Sequence, residues 1–263
     1  MDIRKEYTTK LREYYKTKDP LEQLHRLKEI GELEYVKSNP RLVFKNQRLI
    51  TLLASNVGDF DLVDKLHIER GKYLGWDNTK YKFSKDYIFV VPEVANFFKS
   101  LQPQLRDTKN ALFIGCFEGM SALYFLDNVF DSPDSIDLLD IEDSYNLREN
   151  FSSNTKATII IEDSYNFKYK NTYDFIHVNG SKVPDDYSTD ITRGLDNLAP
   201  GGHMLISYLL VYKQKLKRVC DKLLLQRDDV EVTQSVMMEK KPDYWDRKLH
   251  IPYYLVKKLP SKR

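Results

Sequence analysis

From about Pro92 onward, short apolar runs of strand length alternate with amphipathic stretches of helix length, and this alternation restricts the folds open to the chain. Ala111–Gly115 (ALFIG), Ile136–Ile141 (IDLLDI), Thr158–Ile161 (TIII), Phe175–Val178 (FIHV) and His203–Tyr208 (HMLISY) read as buried strands. Helical stretches near 119–130, 143–151, 184–197 and 209–226 separate them. Strands joined in this way call for right-handed crossovers and a mostly parallel sheet with helices on both faces. Two later runs, Val230–Met238 and Ile251–Lys258, have no helical pattern between them and suit an antiparallel terminal pair at one edge. The expected class is therefore α/β, with a seven-stranded sheet.

The first ~90 residues follow a different, helical period. Asp19-Pro20 sets a capping acid before a proline at the first helical position, and Leu21, Leu24, Leu27, Ile30 and Leu33 follow at helical spacing. Asn39-Pro40 repeats the device ahead of Leu42, Leu49, Leu52 and Leu53, and Gly58 stops it. A third helical stretch, Asp59–Leu74, ends at Gly75, and Trp76–Tyr87 reads as an aromatic loop. The expected organisation is a helical N-terminal cap over 1–90 and a sheet domain over 91–263.

Composition narrows the classes further. An aromatic content of 13%, with only 10 Gly and 10 Pro in 263 residues, excludes collagen-like and low-complexity chains. Two cysteines, Cys116 and Cys220, support neither a disulfide framework nor a cysteine-rich zinc site. No apolar run reaches the ~18–20 residues of a membrane span, and Met1–Lys18 is too charged for a signal peptide, so a cytoplasmic protein without membrane attachment is expected. The net charge of +2 conceals +4 over residues 1–50, −9 over 51–212 and +7 over 213–263. Basic flanks attract nucleic acid or acidic surfaces, although lysine-rich helices such as Lys213–Lys222 are more often solvated faces than nucleic-acid sites.

Ligands in an open α/β sheet bind beyond the carboxyl ends of the strands, close to the point where strand order reverses. After the first strand comes Gly115-Cys116-Phe117-Glu118-Gly119-Met120-Ser121, whose glycines permit close approach to the backbone and whose helix start offers free N–H groups. The G-x-x-x-G spacing does not meet the dinucleotide fingerprint, and a strand-to-helix turn often needs a glycine for its own sake. Asp140, followed by Ile141, ends the second strand 21 residues after Gly119, a place from which a carboxylate can accept both hydroxyls of a ribose. Asp143 suits the role of helix cap better. Asp163 with Ser164 follows the third strand, where an adenine amino group could donate to the acid. Asn179-Gly180-Ser181-Lys182 follows the fourth, and Leu198–Gly202 (LAPGG) makes a turn before the fifth.

In this order the motifs IGCFEGMSA, LLDI, IEDS, YDFIHVNGS and LAPGG resemble the class I S-adenosylmethionine-dependent methyltransferases, most closely the small-molecule and sugar O-methyltransferase branch. The resemblance spans Val91–Tyr208 and implies a Rossmann-like sheet, a transferase activity and S-adenosyl-L-methionine as cofactor. It implies further that Gly115, Cys116, Phe117, Glu118, Gly119 and Ser121 hold the methionine end. Asp140 would hold the ribose and Asp163, with Ser164 beside it, the adenine; Ile141 and Asn179 count among the cofactor-binding positions as well. The chain departs from the family pattern at Phe113, where an acid is usual two positions before the first glycine, and at Asn179 and Lys182 after strand four. With Ser207 and Tyr208 after strand five, no carboxylate cluster suits magnesium, so no catalytic metal is expected.

Metal-free methyl transfer to oxygen needs a general base near the acceptor. Lys182 and Asp185 follow strand four at the right end and are the candidates; each is also an ordinary solvated loop charge. His177, in mid-strand, reads as a core histidine, and His203 as opening strand five away from the ligand. Trp76, Tyr81, Phe83 and Tyr87 could line an acceptor pocket or simply pack. Expected partners are a small-molecule or sugar acceptor, with RNA (cap or ribose) as the alternative and a homodimer as a further one. A catalytically silent, partner-binding subunit is the reading that Phe113, Asn179 and Lys182 favour.

Overall fold

A computed structural model describes residues 3–73, 76–82, 92–169, 172–181, 183–207, 213–240 and 249–260. The chain divides into two compact units, 1–92 and 93–263.

The first unit is helical: α1 (Ile3–Lys16), α2 (Pro20–Gly31), the single turn α3 (Glu34–Lys37), α4 (Pro40–Val57) and α5 (Phe60–Tyr73). Asp19 caps α2, its side chain accepting the Glu22 N–H while Pro20 occupies the first position. The apolar stripes of these helices converge on Leu24, Leu27, Ile30, Ile50, Leu53 and Leu66. Residues 76–82 are not helical, as expected for the loop; Phe83 and Tyr87 lie outside the described residues.

The second unit contains α6 (Pro92–Ser100), the turn α7 (Gln102–Leu105), β1 (Asn110–Ile114), α8 (Met120–Asn128), β2 (Ser135–Asp140), α9 (Tyr145–Phe151), β3 (Ala157–Ile161), β4 (Tyr173–Val178), α10 (Pro184–Asp196), β5 (Leu198–Ser207), α11 (Lys213–Leu225), β6 (Val230–Lys240) and β7 (Leu249–Lys258). The strand order is β3-β2-β1-β4-β5-β7-β6. The first five strands run parallel, and β7 is antiparallel to both β5 and β6. This is the seven-stranded, mostly parallel sheet with an antiparallel terminal pair. The last strand in sequence is inserted between β5 and β6.

Alternation along the central strands assigns the two faces. Leu112, Ile114, Ile176 and Val178 pack with Tyr187, Ile191 and Leu195 of α10 and with Leu216, Cys220 and Leu224 of α11. Phe113, Phe175 and His177 point the other way into an aromatic cluster with Phe98, Phe125, Phe130 and Tyr253. Ring pairs at centroid separations of 5.1–6.3 Å add roughly 0.5–1.5 kcal/mol each beyond the burial of their area.

Two local expectations need correction. Leu198–Gly202 is not a free turn but the start of β5, with Leu198 paired to Tyr173 across a register shift; Gly201 takes φ +84 there. His203 accordingly lies in mid-strand rather than opening it. The cap of α9 is Ser144, whose Oγ accepts the Leu147 N–H, while Asp143 pairs with Arg148 at 2.6 Å. An acid one residue too early cannot reach the first-turn N–H groups, and it pairs with a cation instead.

Candidate active site

β1 stands between β2 and β4, so the strand order reverses there and the loops after β1 and β4 meet at the carboxyl edge of the sheet. The meeting is close. Gly115 adopts φ +74, and a Cβ on it would lie 2.3 Å from Gly180 Cα and 2.7 Å from the Asn179 carbonyl oxygen. Both the backbone angle and the space therefore require glycine. Asn179 extends the ladder by donating its N–H to Ile114 O at 2.9 Å.

Beyond Gly115 the loop is held from strand two. Phe117 has φ 51, the one positive value at a non-glycine position among the described residues. Such a conformation costs of order 1–3 kcal/mol and needs compensation nearby. The Phe117 N–H donates to Asp140 Oδ2 at 2.6 Å, and Asp140 Oδ1 accepts the Glu142 N–H at 3.0 Å. Asp140 thus joins the first loop to the second, and both of its oxygens keep further acceptor capacity. Gly119, at φ +86, precedes α8; a Cβ there would approach the Phe151 ring to 2.5 Å. Ser121 lies half-buried in the first turn of α8.

The remaining loop residues face elsewhere. Glu118 is buried, its Oε1 accepting from Asn146 Nδ2 at 3.0 Å and its carbonyl oxygen from Asn150 Nδ2 at 3.2 Å, so it anchors α9. Cys116 directs its thiol at Leu139 O, and burial, reinforced by the Asp140 charge, pushes the thiol well above the usual range and away from thiolate chemistry. Ile141 leaves a large apolar side chain 68% exposed next to Asp140.

The third and fourth turns are linked through α10. Asp163 is exposed, and its Oδ1 accepts the Tyr165 N–H at 2.9 Å. Arg193 of α10 donates to the carbonyl oxygens of Ser164 (2.6 Å), Tyr165 (2.5 Å) and Phe167, and so fixes the turn that carries Ser164. Ser181 donates to Asp186 Oδ2 at 3.0 Å and accepts the Val183 N–H at 3.0 Å. Asp185 is exposed in the first turn of α10. Lys182 and Tyr208 lie outside the described residues.

One residue here escaped the sequence reading. Asp190, in the middle of α10, is 1% exposed and its Oδ2 has no hydrogen-bond partner. The signal was available: Tyr187, Asp190, Ile191, Gly194 and Leu195 form one buried helical stripe, and an acid on such a stripe is unusual. His177 is as expected for a core histidine, its Nε2 3.1 Å from Ser207 Oγ amid the aromatic cluster. The other aromatic candidates divide: Trp76 is buried, with its ring 5.8 Å from that of Tyr81. Among the described residues no three His, Cys, Asp or Glu side chains gather into a metal-binding group, and no helix is long and apolar enough to cross a membrane.

The arrangement offers a glycine-lined backbone crevice, a helix start, a carboxylate at the end of β2 and an apolar side chain beside it. No protein-family model and no curated protein matches the sequence. Solved structures do match in fold. The N-methyltransferase NodS from Bradyrhizobium japonicum WM9, in complex with S-adenosyl-L-homocysteine, aligns with a TM-score of 0.50 at 13% identity, covering 71% of this chain and 96% of that one. A protein described as an RNA methyltransferase from Pyrococcus horikoshii aligns at 0.51 and 12% identity, covering 65% and 84%. One described as an rRNA methylase from Clostridium thermocellum aligns at 0.50 and 11%, covering 66% and 99%. Over the aligned part, the chain thus shares the Rossmann-like fold of these proteins.

Proposed function

We propose that the chain is an S-adenosylmethionine-dependent methyltransferase that acts without a metal on an oxygen of a small molecule or sugar. The observation that carries this reading is the junction at the strand-order reversal. There Gly115 is pressed against Gly180, and Asp140 grips the Phe117 N–H while keeping acceptor sites open. The residues present fit the cofactor. Gly115 leaves a cradle that any side chain would fill, the start of α8 suits a carboxylate, and Asp140 suits a diol. Ile141 is free to lie along a base or sugar. When bound, S-adenosylmethionine supplies an electrophilic methyl on a sulfonium.

What the chain itself contributes is placement and proton removal. Rigid loops that hold an acceptor in line provide much of such a rate, and a base adds ~10²–10⁴-fold. Asp185, exposed in the first turn of α10 on the β4 side of the junction, is our candidate base, with Lys182 orienting the acceptor. The test is to titrate S-adenosylhomocysteine into the chain, then to screen phenol, catechol and sugar acceptors by mass spectrometry with and without chelator. Methyl transfer that survives chelator and falls at least tenfold in Asp185→Asn supports the assignment; undiminished transfer in that variant removes Asp185 from it.

A second reading is favoured by one residue. Phe113, where the family resemblance calls for an acid, is 1% exposed and committed to the aromatic cluster. A methyltransferase-like subunit that binds the cofactor and a partner without turnover would bind S-adenosylhomocysteine yet methylate none of the acceptors. Retention of RNA in a low-salt gel shift, lost steeply as salt rises, would move the acceptor class to RNA.

A further inference from the structure

The carboxyl group of Asp190 has its Oδ2 buried without a partner, between two of the loops that make the candidate site. On one side is Gly180: a Cβ built there would come 3.2 Å from Oδ2, so the carboxylate lies directly under the loop after β4. On the other is the loop after β3, where the Ser164 side chain faces the Asp190 carboxyl group and Arg193, one turn further along α10, holds three backbone carbonyls. Asp163, the acid expected to meet an adenine, is exposed, and one of its oxygens is already engaged with the Tyr165 N–H. Both acids keep an open acceptor, but only that of Asp190 is shut away from water.

A buried acceptor with no donor is costly, so such groups are rare in proteins unless a ligand or water completes them. We propose that Asp190 is a ligand-contacting residue whose Oδ2 accepts the exocyclic amino group of the cofactor's adenine, entering between Gly180 and Ser164, and that it selects adenine over a 6-oxo purine. The inference rests on the cofactor assignment made above. A carboxylate favours an N–H donor through a charge-assisted bond and repels a carbonyl oxygen placed at the same point. Sites built on a buried polar group discriminate strongly against the analogue that leaves it unpaired.

The surroundings make this contact sensitive to pH. Asp186 and Arg193 on α10 itself, and Asp163 and Tyr169 on the segment between β3 and β4, are the charged and titratable groups facing Asp190. Burial, with the Asp186 and Asp163 charges, raises its carboxyl group to about 6, against the nearby Ser164 hydroxyl and the opposing Arg193. Ionised Asp190 is the form that prefers an amino group, so selectivity is full above that pH and falls below it.

The experiment titrates S-adenosylhomocysteine and S-inosylhomocysteine into the full chain by calorimetry at pH 7.5 and pH 5.0. Wild type is expected to prefer the adenosyl compound by at least about a hundredfold at pH 7.5, with the ratio shrinking at pH 5.0. Asp190→Asn, whose amide can accept from an amino group or donate to a carbonyl, is expected to bring the two compounds within about tenfold at both pH values. The melting temperature of its ligand-free form at pH 7.5 should be no lower than that of wild type, which separates lost recognition from lost structure. A variant with the wild-type ratio, or a wild-type ratio that does not change with pH, overturns the role of Asp190. Wild type that binds neither compound overturns the cofactor assignment itself, and the role of Asp190 falls with it.

Discussion

Asp140 is a carboxylate with structural duty before any ligand arrives, since it accepts the Phe117 and Glu142 N–H groups. Replacing it by alanine strands the Phe117 donor on a positive-φ residue, and urea unfolding should show a loss of about 1–3 kcal/mol. Gly115→Ala should cost more, above about 3 kcal/mol by the same measurement, because a left-handed backbone angle coincides with an approach of 2.3 Å to Gly180 Cα. Asp190→Asn should go the other way. An acid whose folded pKa is raised to about 6 from an ordinary value near 3.8 is penalised for ionising in the native state. Its contribution is therefore most favourable below pH 4, declines between about pH 4 and 6, and stays at its worst above that. Removing the charge should stabilise the protein at pH 7.5 by about 1–3 kcal/mol and flatten the stability profile over that window, readable from melting temperatures against pH. Stability lost through Asp140 and gained through Asp190 would mark the first as scaffold and the second as an acid kept at the expense of the fold.

At the level of elements, α10 ties the site together, because Arg193 clamps the turn after β3 while Asp190 lies beneath the loop after β4. Arg193→Ala should leave three carbonyls, two of them half-buried, without their donor and lower stability by about 1–3 kcal/mol; hydrogen exchange should quicken in 163–167 first. The strands themselves were legible in the sequence, because apolar runs such as ALFIG and FIHV carry their own signature and the glycines at 115 and 119 mark a tight approach. The order of the last two strands was not, since nothing in Val230–Lys240 or Leu249–Lys258 states which of them meets β5. The start of β5 was misread because Pro200-Gly201-Gly202 looks like a turn when its pairing to Tyr173 cannot be seen. Cross-loop partners such as Phe117 with Asp140 leave no periodic trace, whereas Asp190 leaves one as an acid on an apolar stripe.

Across the whole molecule, the near-neutral +2 separates into an acidic stretch of −9 over 51–212, which carries the candidate loops, and basic flanks of +4 and +7. If those flanks only solvate helices, a low-salt gel shift should retain no RNA; retention that vanishes as salt rises would assign them a polyanion. Either outcome leaves the cofactor assignment proposed for the acidic centre unaffected. Calorimetric titration of S-adenosylhomocysteine into the full chain, beside Asp140→Ala, therefore addresses the central claim most directly. The account predicts one site per chain with a Kd of about 1–100 μM, weakened at least about tenfold in the variant. Absence of binding at millimolar ligand, or equal affinity in the two proteins, would contradict it.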